Sequence, residues 1–107
     1  IVTHSVPDGW PRADSNIRFV TDGLDSAVEQ AKAAAGDDKF VGVATPSIIQ
    51  QLLNDGQLDA IHVNLVPVLL GAGVPFFASL ADAPVRLSDP EVVESEGVTH
   101  LTYTVLK

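Results

Sequence analysis

The sequence predicts an α/β domain with a mainly parallel sheet that ends in an antiparallel edge. Two observations support this prediction. Along the first two-thirds of the chain, short β-forming runs alternate with segments whose apolar residues recur at helical spacing, which is typical of βαβ units. Two further strand-like runs follow near the carboxyl terminus, as expected for an antiparallel pair.

The composition is that of a single globular domain. The 107 residues are 46% hydrophobic and 19% charged, enough for one packed core. Fourteen acidic residues against six dispersed basic ones give a formal charge of −8, which disfavours nucleic acid and anionic membranes as partners. Cysteine is absent, so disulfides and thiolate metal sites are excluded, and a cytoplasmic location is the expectation.

The first half of the chain predicts two strands and a helix. Residues 1–4 and 17–21 are β-rich and are separated by turn residues that include Pro7 and Gly9. Asp22 is the expected N-cap of the helix that follows, and Gly36 is its expected end. The apolar residues of this helix recur at helical spacing and are Leu24, Ala27, Val28, Ala31 and Ala35.

The second half predicts a further helix between strands. Residues 39–44 form a short β-rich run, and Thr45 followed by Pro46 is a typical cap with proline at the first helical position. Gly56 is the expected helix end. The buried face of this helix is predicted to consist of Ile48, Ile49, Leu52 and Leu53.

Three strands are predicted beyond the second helix. Residues 60–66 alternate Ile61, Val63 and Leu65 with a second row made of His62, Asn64 and Val66. Residues 85–87 and 98–106 are the last two strands, and the polar stretch 88–97 between them is predicted to be a loop.

The turn from Val43 to Ile48 is the best candidate for a binding site. It is a strand end followed by a helix N-terminus, where free backbone N–H groups can bind a phosphate. The hydroxyl groups of Thr45 and Ser47 would add donors, and Ala44 leaves room for a close approach. The alternative, that small residues here only allow tight packing and Thr45 is an ordinary cap, stays open because short motifs have low specificity.

Other chemistry-bearing residues show no site pattern. His4, His62 and His100 are far apart without ligand spacing, so no metal site is expected. The acidic residues of the loop-like stretches are interpreted as a solvated surface, and no G-x-S-x-G nucleophile motif occurs. No catalytic residue is assigned.

Two linked motifs and the last strand resemble a known family. Residues 52–59 read L-L-N-D-G-Q-L-D, which matches L-L-x-x-G-x-L-D, and residues 67–77 read P-V-L-L-G-A-G-V-P-F-F, which matches P-x-L-L-G-x-G-x-x-[LF]-F. The closing segment from His100 to Val105 is similar to the family's usual last strand. Over nearly its whole length the chain resembles the carboxyl-terminal reductase domain of riboflavin-biosynthesis proteins of the RibD type.

The resemblance implies a dihydrofolate reductase-like fold, a three-layer α-β-α arrangement with a mixed, mainly parallel sheet, flanking helices and an antiparallel carboxyl-terminal edge. It implies NADPH-dependent reduction of a small heterocyclic substrate, as in 5-amino-6-(5-phosphoribosylamino)uracil reductase. By this resemblance, two segments bind the cofactor. The turn beside the pyrophosphate comprises Val43, Ala44, Thr45, Pro46, Ser47 and Ile48, and the loop beside the adenosine 2′-phosphate comprises Thr3, His4 and Ser5.

Three residues are candidates for the substrate side. Asn64 projects from its strand opposite the apolar row, near the expected cleft, and Gly71 and Gly73 would allow a substrate to approach the backbone. Two alternatives stay open: Asn64 pairs with a neighbouring strand instead, and His4 is an ordinary solvent-facing residue.

The chain departs from the family pattern in two respects. Ala44 and Thr45 stand where the family usually has glycines, which narrows the backbone approach to a phosphate. The amino-terminal part of the family domain is expected to be absent, which would leave apolar faces for a homo-oligomer, such as a homodimer, or a complementing segment to cover. The alternative function is therefore a noncatalytic binding or oligomerisation module.

Overall fold

The computed structural model describes all residues, 1–107, and contains two helices and one three-stranded sheet. The helices are α1 (Leu24–Ala35) and α2 (Pro46–Asn54), and the strands are β1 (Ala60–Leu65), β2 (Glu91–Ser95) and β3 (Val98–Thr104). The chain divides into two compact units, Ile1–Gly42 and Val43–Lys107. Neither helix combines the length and the apolar character needed to cross a bilayer.

The first unit, Ile1–Gly42, contains one parallel strand contact and α1. Val2 and Val20 form an isolated parallel bridge, in which Thr3 N donates to Val20 O at 3.0 Å and Val20 N donates to Ile1 O at 2.8 Å. Val20 is buried, with 6% of its surface exposed. The strands predicted for residues 1–4 and 17–21 are therefore reduced to this single bridge.

Helix α1 forms where the apolar spacing predicts it, but its predicted N-cap is wrong. Gly23, not Asp22, is the N-cap, and no side chain caps the helix. Gly23 adopts φ 107, which an aspartate would adopt only with strain. Gly36 ends the helix as predicted, at φ 76 with its N–H bonded to Lys32 O. No residue of α1 is buried.

Helix α2 supplies part of the core of the second unit, Val43–Lys107. Ile49, Leu52 and Leu53 are buried, as predicted, whereas Ile48 is half-buried. Proline stands at the first helical position, Pro46, as its pattern indicates. The strand predicted for residues 39–44 does not form, and the chain enters α2 in an irregular conformation.

The sheet is antiparallel, with the order β1-β3-β2. This differs from the mainly parallel sheet predicted from the alternation of strands and helices. The physical reason is that the three early β-rich runs form no ladder, so parallel pairing is limited to the Val2–Val20 bridge. The run at 85–87 is likewise reduced to a bridge between Leu87 and Val105.

Strand β2 lies in the stretch predicted to be a loop, residues 88–97. Its glutamates made it appear polar, but the strand is exposed along its whole length, so charged residues cost nothing there. Ser95 pairs with Val98, and Glu96 and Gly97 form the two-residue turn between β2 and β3. Gly97 has φ 77, a conformation that glycine adopts without strain.

The core of the second unit lies on one face of β1 and β3. Leu53, Ile61 and Val105 form the buried cluster on this face, and Ile49 and Leu52 of α2 are buried as well. Half-buried apolar side chains pack around them, namely Leu58, Val63, Leu80, Val85, Leu87 and Tyr103. The alternation predicted for residues 60–66 is thus confirmed for Ile61 and Val63, whereas Leu65 is exposed. The opposite face of β1 carries the polar side chains of His62 and Asn64.

Candidate functional site

The turn that enters α2 has an unusual backbone. Thr45 adopts φ 91 and ψ 114, a region that a β-branched residue occupies only with strain. Its carbonyl accepts from the N–H groups of Ile48 and Ile49, both at 3.1 Å, so Thr45 caps α2 through its main chain. The predicted side-chain cap is wrong, because the Thr45 hydroxyl makes no capping bond.

The two hydroxyl groups at this turn are therefore available to a ligand. Thr45 and Ser47 are both exposed, and neither hydroxyl takes part in a cap at the N-terminus of α2. A helix N-terminus with nearby hydroxyl donors can bind an anion through its backbone dipoles and N–H groups. This donor set fits a phosphate, although the Ala44 and Thr45 side chains occupy space that glycines would leave open.

The loop Thr3 to Ser5 belongs to the first unit. The Thr3 hydroxyl donates to Ser5 O at 3.0 Å, and Thr3 N is held by Val20 O. His4 and Ser5 are exposed. The hydrogen bonds of Thr3 shape the loop and leave the side chains of His4 and Ser5 facing outward, where they could contact an anion.

A hollow of about 540 Å³ lies in the same unit. It is lined by Val6, Pro11, Ser15, Asn16, Ile17, Arg18 and Phe19. None of the residues predicted to bind cofactor or substrate lines it. Next to it in sequence, the Arg12 guanidinium lies 4.5 Å from the Trp10 ring centroid, and Trp10 packs against Phe19. Trp10 therefore anchors the loop rather than presenting a free stacking face.

The polar face of the sheet holds a connected group of side chains, His62, Asn64, His100 and Thr102. His62 Nδ1 lies 3.0 Å from Thr102 Oγ1, and His62 Nε2 lies 3.1 Å from Asn64 Oδ1. His100 Nδ1 lies 2.6 Å from the same Asn64 oxygen. The two imidazole rings are stacked, with centroids 6.0 Å apart. We call these four residues the His-Asn-His cluster.

The side-chain oxygen of Asn64 determines which ring nitrogens of the cluster carry protons. An amide oxygen can only accept, so His62 Nε2 and His100 Nδ1 both donate to it. When His62 is neutral, its Nδ1 accepts from the Thr102 hydroxyl. Asn64 thus pairs with a neighbouring strand, the alternative that its sequence position left open.

The sequence does not reveal this cluster, because its histidines are far apart in the chain. His62 lies on β1 and His100 on β3, and antiparallel pairing brings them to the same face. The available signal was that both residues occupy the polar row of an alternating strand pattern. Strand pairing determines which two polar rows lie side by side, and the pairing cannot be deduced from the spacing of residues along the chain.

The loop after β1 carries the two candidate glycines. Gly71 adopts φ 79, and no heavy atom lies within 4 Å of a Cβ placed on Gly71 or Gly73, apart from their chain neighbours. Both glycines therefore border open space in the direction in which a side chain would project. On either side of the two glycines in the chain, Leu69, Leu70 and Val74 are 100%, 84% and 81% exposed.

The end of this loop is attached to α2. Asn54 Nδ2 donates to Ser79 O at 3.1 Å, and Asn54 Oδ1 accepts from Ala81 N at 2.9 Å. When the side-chain amide of Gln50 is rotated so that its nitrogen and oxygen exchange places, the nitrogen donates to Ala78 O and the oxygen accepts from Ala78 N, both at 3.1 Å. The apolar stretch is thus held at its carboxyl end by two amide side chains.

Comparison with known proteins defines the class of fold. No family model and no curated protein matches the chain. A crystal structure from Shewanella sp. PV-4 matches with a TM-score of 0.68 over 99% of this chain, at 23% sequence identity. That protein has the provisional name of a riboflavin biosynthesis protein. The chain spans 59% of its length, so the likeness establishes a shared α/β fold over that portion.

Proposed function

We propose that this chain is part of an NADPH-dependent reductase of a small heterocyclic substrate, similar to 5-amino-6-(5-phosphoribosylamino)uracil reductase. The motifs at residues 52–59 and 67–77 support the proposal, as does the fold shared with a protein provisionally named for riboflavin biosynthesis. The observation that carries it is the φ of 91 at Thr45. The turn has a glycine-like backbone where the resemblance expects a glycine turn beside a pyrophosphate.

In this proposal the residues of the chain bind and orient the cofactor. The N-terminus of α2, with Thr45 and Ser47, would hold the pyrophosphate, and Thr3, His4 and Ser5 would hold the 2′-phosphate. NADPH would supply a hydride from C4 of the nicotinamide to the substrate carbon. Asn64, Gly71 and Gly73 are the proposed substrate-side residues, and the cytoplasm is the proposed compartment.

Calorimetric titration with NADPH, with NADH as the control ligand, tests the cofactor. Saturable binding that prefers NADPH is expected. Ser47→Ala should weaken binding roughly tenfold, because a hydrogen bond to a charged group contributes about 1.5 kcal/mol. Ser95→Ala on β2 is the matched control and should bind normally. Absence of saturable binding, or an equal loss in both variants, would rule out the proposed pyrophosphate turn.

A noncatalytic binding or oligomerisation module is the second candidate. The methyl groups of Ala44 and Thr45 at the turn support it, since they hinder a close phosphate approach. Thr45→Gly separates the two functions. Restored or strengthened NADPH binding in this variant supports a reductase, whereas no binding in either protein favours the module.

We propose a second copy of the chain as the partner in either case. The exposed Leu69, Leu70 and Val74 support this, because contiguous apolar side chains at the surface are typical of interaction sites. Light scattering of the purified chain should give a dimer mass, and the double variant Leu69→Ser, Leu70→Ser should shift it to a monomer. A wild-type chain that is monomeric at high concentration would exclude this partner.

A further inference from the structure

The His-Asn-His cluster places side-chain nitrogen and oxygen atoms close together in a way that the proposed reduction by NADPH does not require. Two ring nitrogens, His62 Nε2 and His100 Nδ1, lie within hydrogen-bond distance of the same oxygen, Asn64 Oδ1. We propose that these atoms bind a divalent transition-metal ion of the Zn²⁺, Ni²⁺ or Cu²⁺ class. The proposal does not depend on the cofactor turn, since none of these contacts involves Thr45, and it gives Asn64, which is also a proposed substrate-side residue, a second role.

The distances between the proposed ligand atoms fit a metal centre. Ligand bonds of about 2.0–2.2 Å place neighbouring ligand atoms about 2.8–3.1 Å apart in octahedral geometry and about 3.3–3.6 Å apart in tetrahedral geometry. The Asn64 oxygen lies 3.1 Å from the His62 nitrogen and 2.6 Å from the His100 nitrogen. A small opening of the shorter contact therefore lets a metal ion take the place of the two protons, and each neutral imidazole then carries its single proton on the other ring nitrogen, Nδ1 of His62 and Nε2 of His100.

Thr102 is not a proposed ligand, but its hydroxyl group can orient the His62 ring. If His62 Nε2 binds a metal, the proton of this imidazole must move to Nδ1, which lies 3.0 Å from Thr102 Oγ1. The hydroxyl oxygen can accept that proton in a hydrogen bond. A partner of this kind fixes the tautomer and the orientation of a metal-binding imidazole.

The backbone holds the donors in place before a metal arrives. His62 pairs with Thr102 and Asn64 pairs with His100, within a six-pair antiparallel register between β1 and β3. Directly paired residues share one face of a sheet. Ligands on paired strands lose less conformational freedom on binding than ligands on a loop.

The charge and the donor type favour a borderline cation over an anion. The chain has a formal charge of −8, and Glu91 on β2 pairs with Thr102 on the same face of the sheet. A negative field attracts cations and repels phosphates. Imidazole nitrogen suits Zn²⁺, Ni²⁺ and Cu²⁺, whereas Mg²⁺ and Ca²⁺ prefer oxygen ligands.

Calorimetric titration of chelator-treated protein with Ni²⁺ and with Zn²⁺ tests the site. One ion should bind per chain. His62→Gln and His100→Gln should each weaken binding about 100-fold or more, because loss of even an outer partner costs about 10–100-fold. His4→Gln, a change in an exposed histidine of the first unit, is the matched control and should bind like the wild type. Far-UV circular dichroism checks that each variant is folded.

Two further variants separate a metal site from a polar cross-strand network. Asn64→Asp should strengthen Ni²⁺ binding, since a carboxylate is a better ligand than an amide oxygen. Thr102→Val should weaken it about tenfold while leaving all three ligands in place. Mg²⁺ should give no heat of binding. The proposal is overturned if no ion binds saturably, or if His4→Gln loses as much affinity as His62→Gln.

Discussion

Thr45 is the residue under most backbone strain in the second unit. A β-branched residue at φ 91 costs on the order of 1–3 kcal/mol, while glycine adopts this conformation freely. Thr45→Gly should therefore raise the free energy of unfolding by about 1 kcal/mol, after the greater freedom of glycine in the unfolded chain is subtracted. Urea denaturation measures the change.

The control for this prediction is Thr45→Ala. It keeps a Cβ, so most of the strain remains and the free energy of unfolding should change little. A Thr45→Gly protein that is less stable than the wild type would show that the turn is not strained.

Ile61 is the most deeply buried residue of β1, with 5% of its surface exposed. Ile61→Ala should lower the free energy of unfolding by about 2–4 kcal/mol, because it removes methyl groups from a packed cluster. Leu65→Ala on the same strand is the matched control. Leu65 is 58% exposed, so its truncation should cost less than about 1 kcal/mol. Equal costs in the two variants, measured by denaturation, would contradict the assignment of the core face.

Asn64 and its neighbours show which part of the cluster can be predicted from the sequence of one strand. The strand pattern correctly places Asn64 and His62 opposite the apolar row of β1. It does not reveal that His100 lies 2.6 Å from Asn64, since 36 positions separate the two in the chain. Periodicity describes one strand at a time, whereas a cluster of this kind requires a specific register between two.

The β2–β3 hairpin depends on one glycine. Gly97 has φ 77 and no heavy atom within 4 Å of an added Cβ, apart from its chain neighbours. Gly97→Ala should therefore cost about 1 kcal/mol from backbone conformation alone. Gly42→Ala is the control, since Gly42 also borders open space but does not have a positive φ. Thermal unfolding compares the two, and a Gly42→Ala loss as large as that of Gly97→Ala would contradict the explanation.

The helices and strands differ in how well the sequence predicts them. The sequence predicts both helices within a few residues, because each combines helical apolar spacing with a proline or glycine boundary, Pro46 or Gly36. The sequence pattern does not predict strand β2, because an exposed hairpin strand needs no apolar row. The early β-rich runs form only an isolated bridge, since β-propensity without a paired neighbour does not produce a ladder.

At the scale of the whole molecule, burial is unevenly distributed between elements. β3 pairs with strands on both sides and leads into the buried Val105, while α1 contains no buried residue. Hydrogen exchange should therefore be slowest for the amides of β3 and faster for those of α1, because local opening is easier where little apolar surface is covered. Mass spectrometry of exchanged fragments measures this order, and equal protection of α1 and β3 would contradict it.

The sequence by itself determined the α/β class, the two helices, strands β1 and β3, and the apolar and polar faces of β1, because all of these depend on periodicity and local turn chemistry. Only the tertiary structure decided that the sheet is antiparallel with the order β1-β3-β2 and that His62, Asn64 and His100 meet. Strand partners and register follow from which distant segments pack together most favourably. That choice is made by the folded chain as a whole, and no single window of residues contains it.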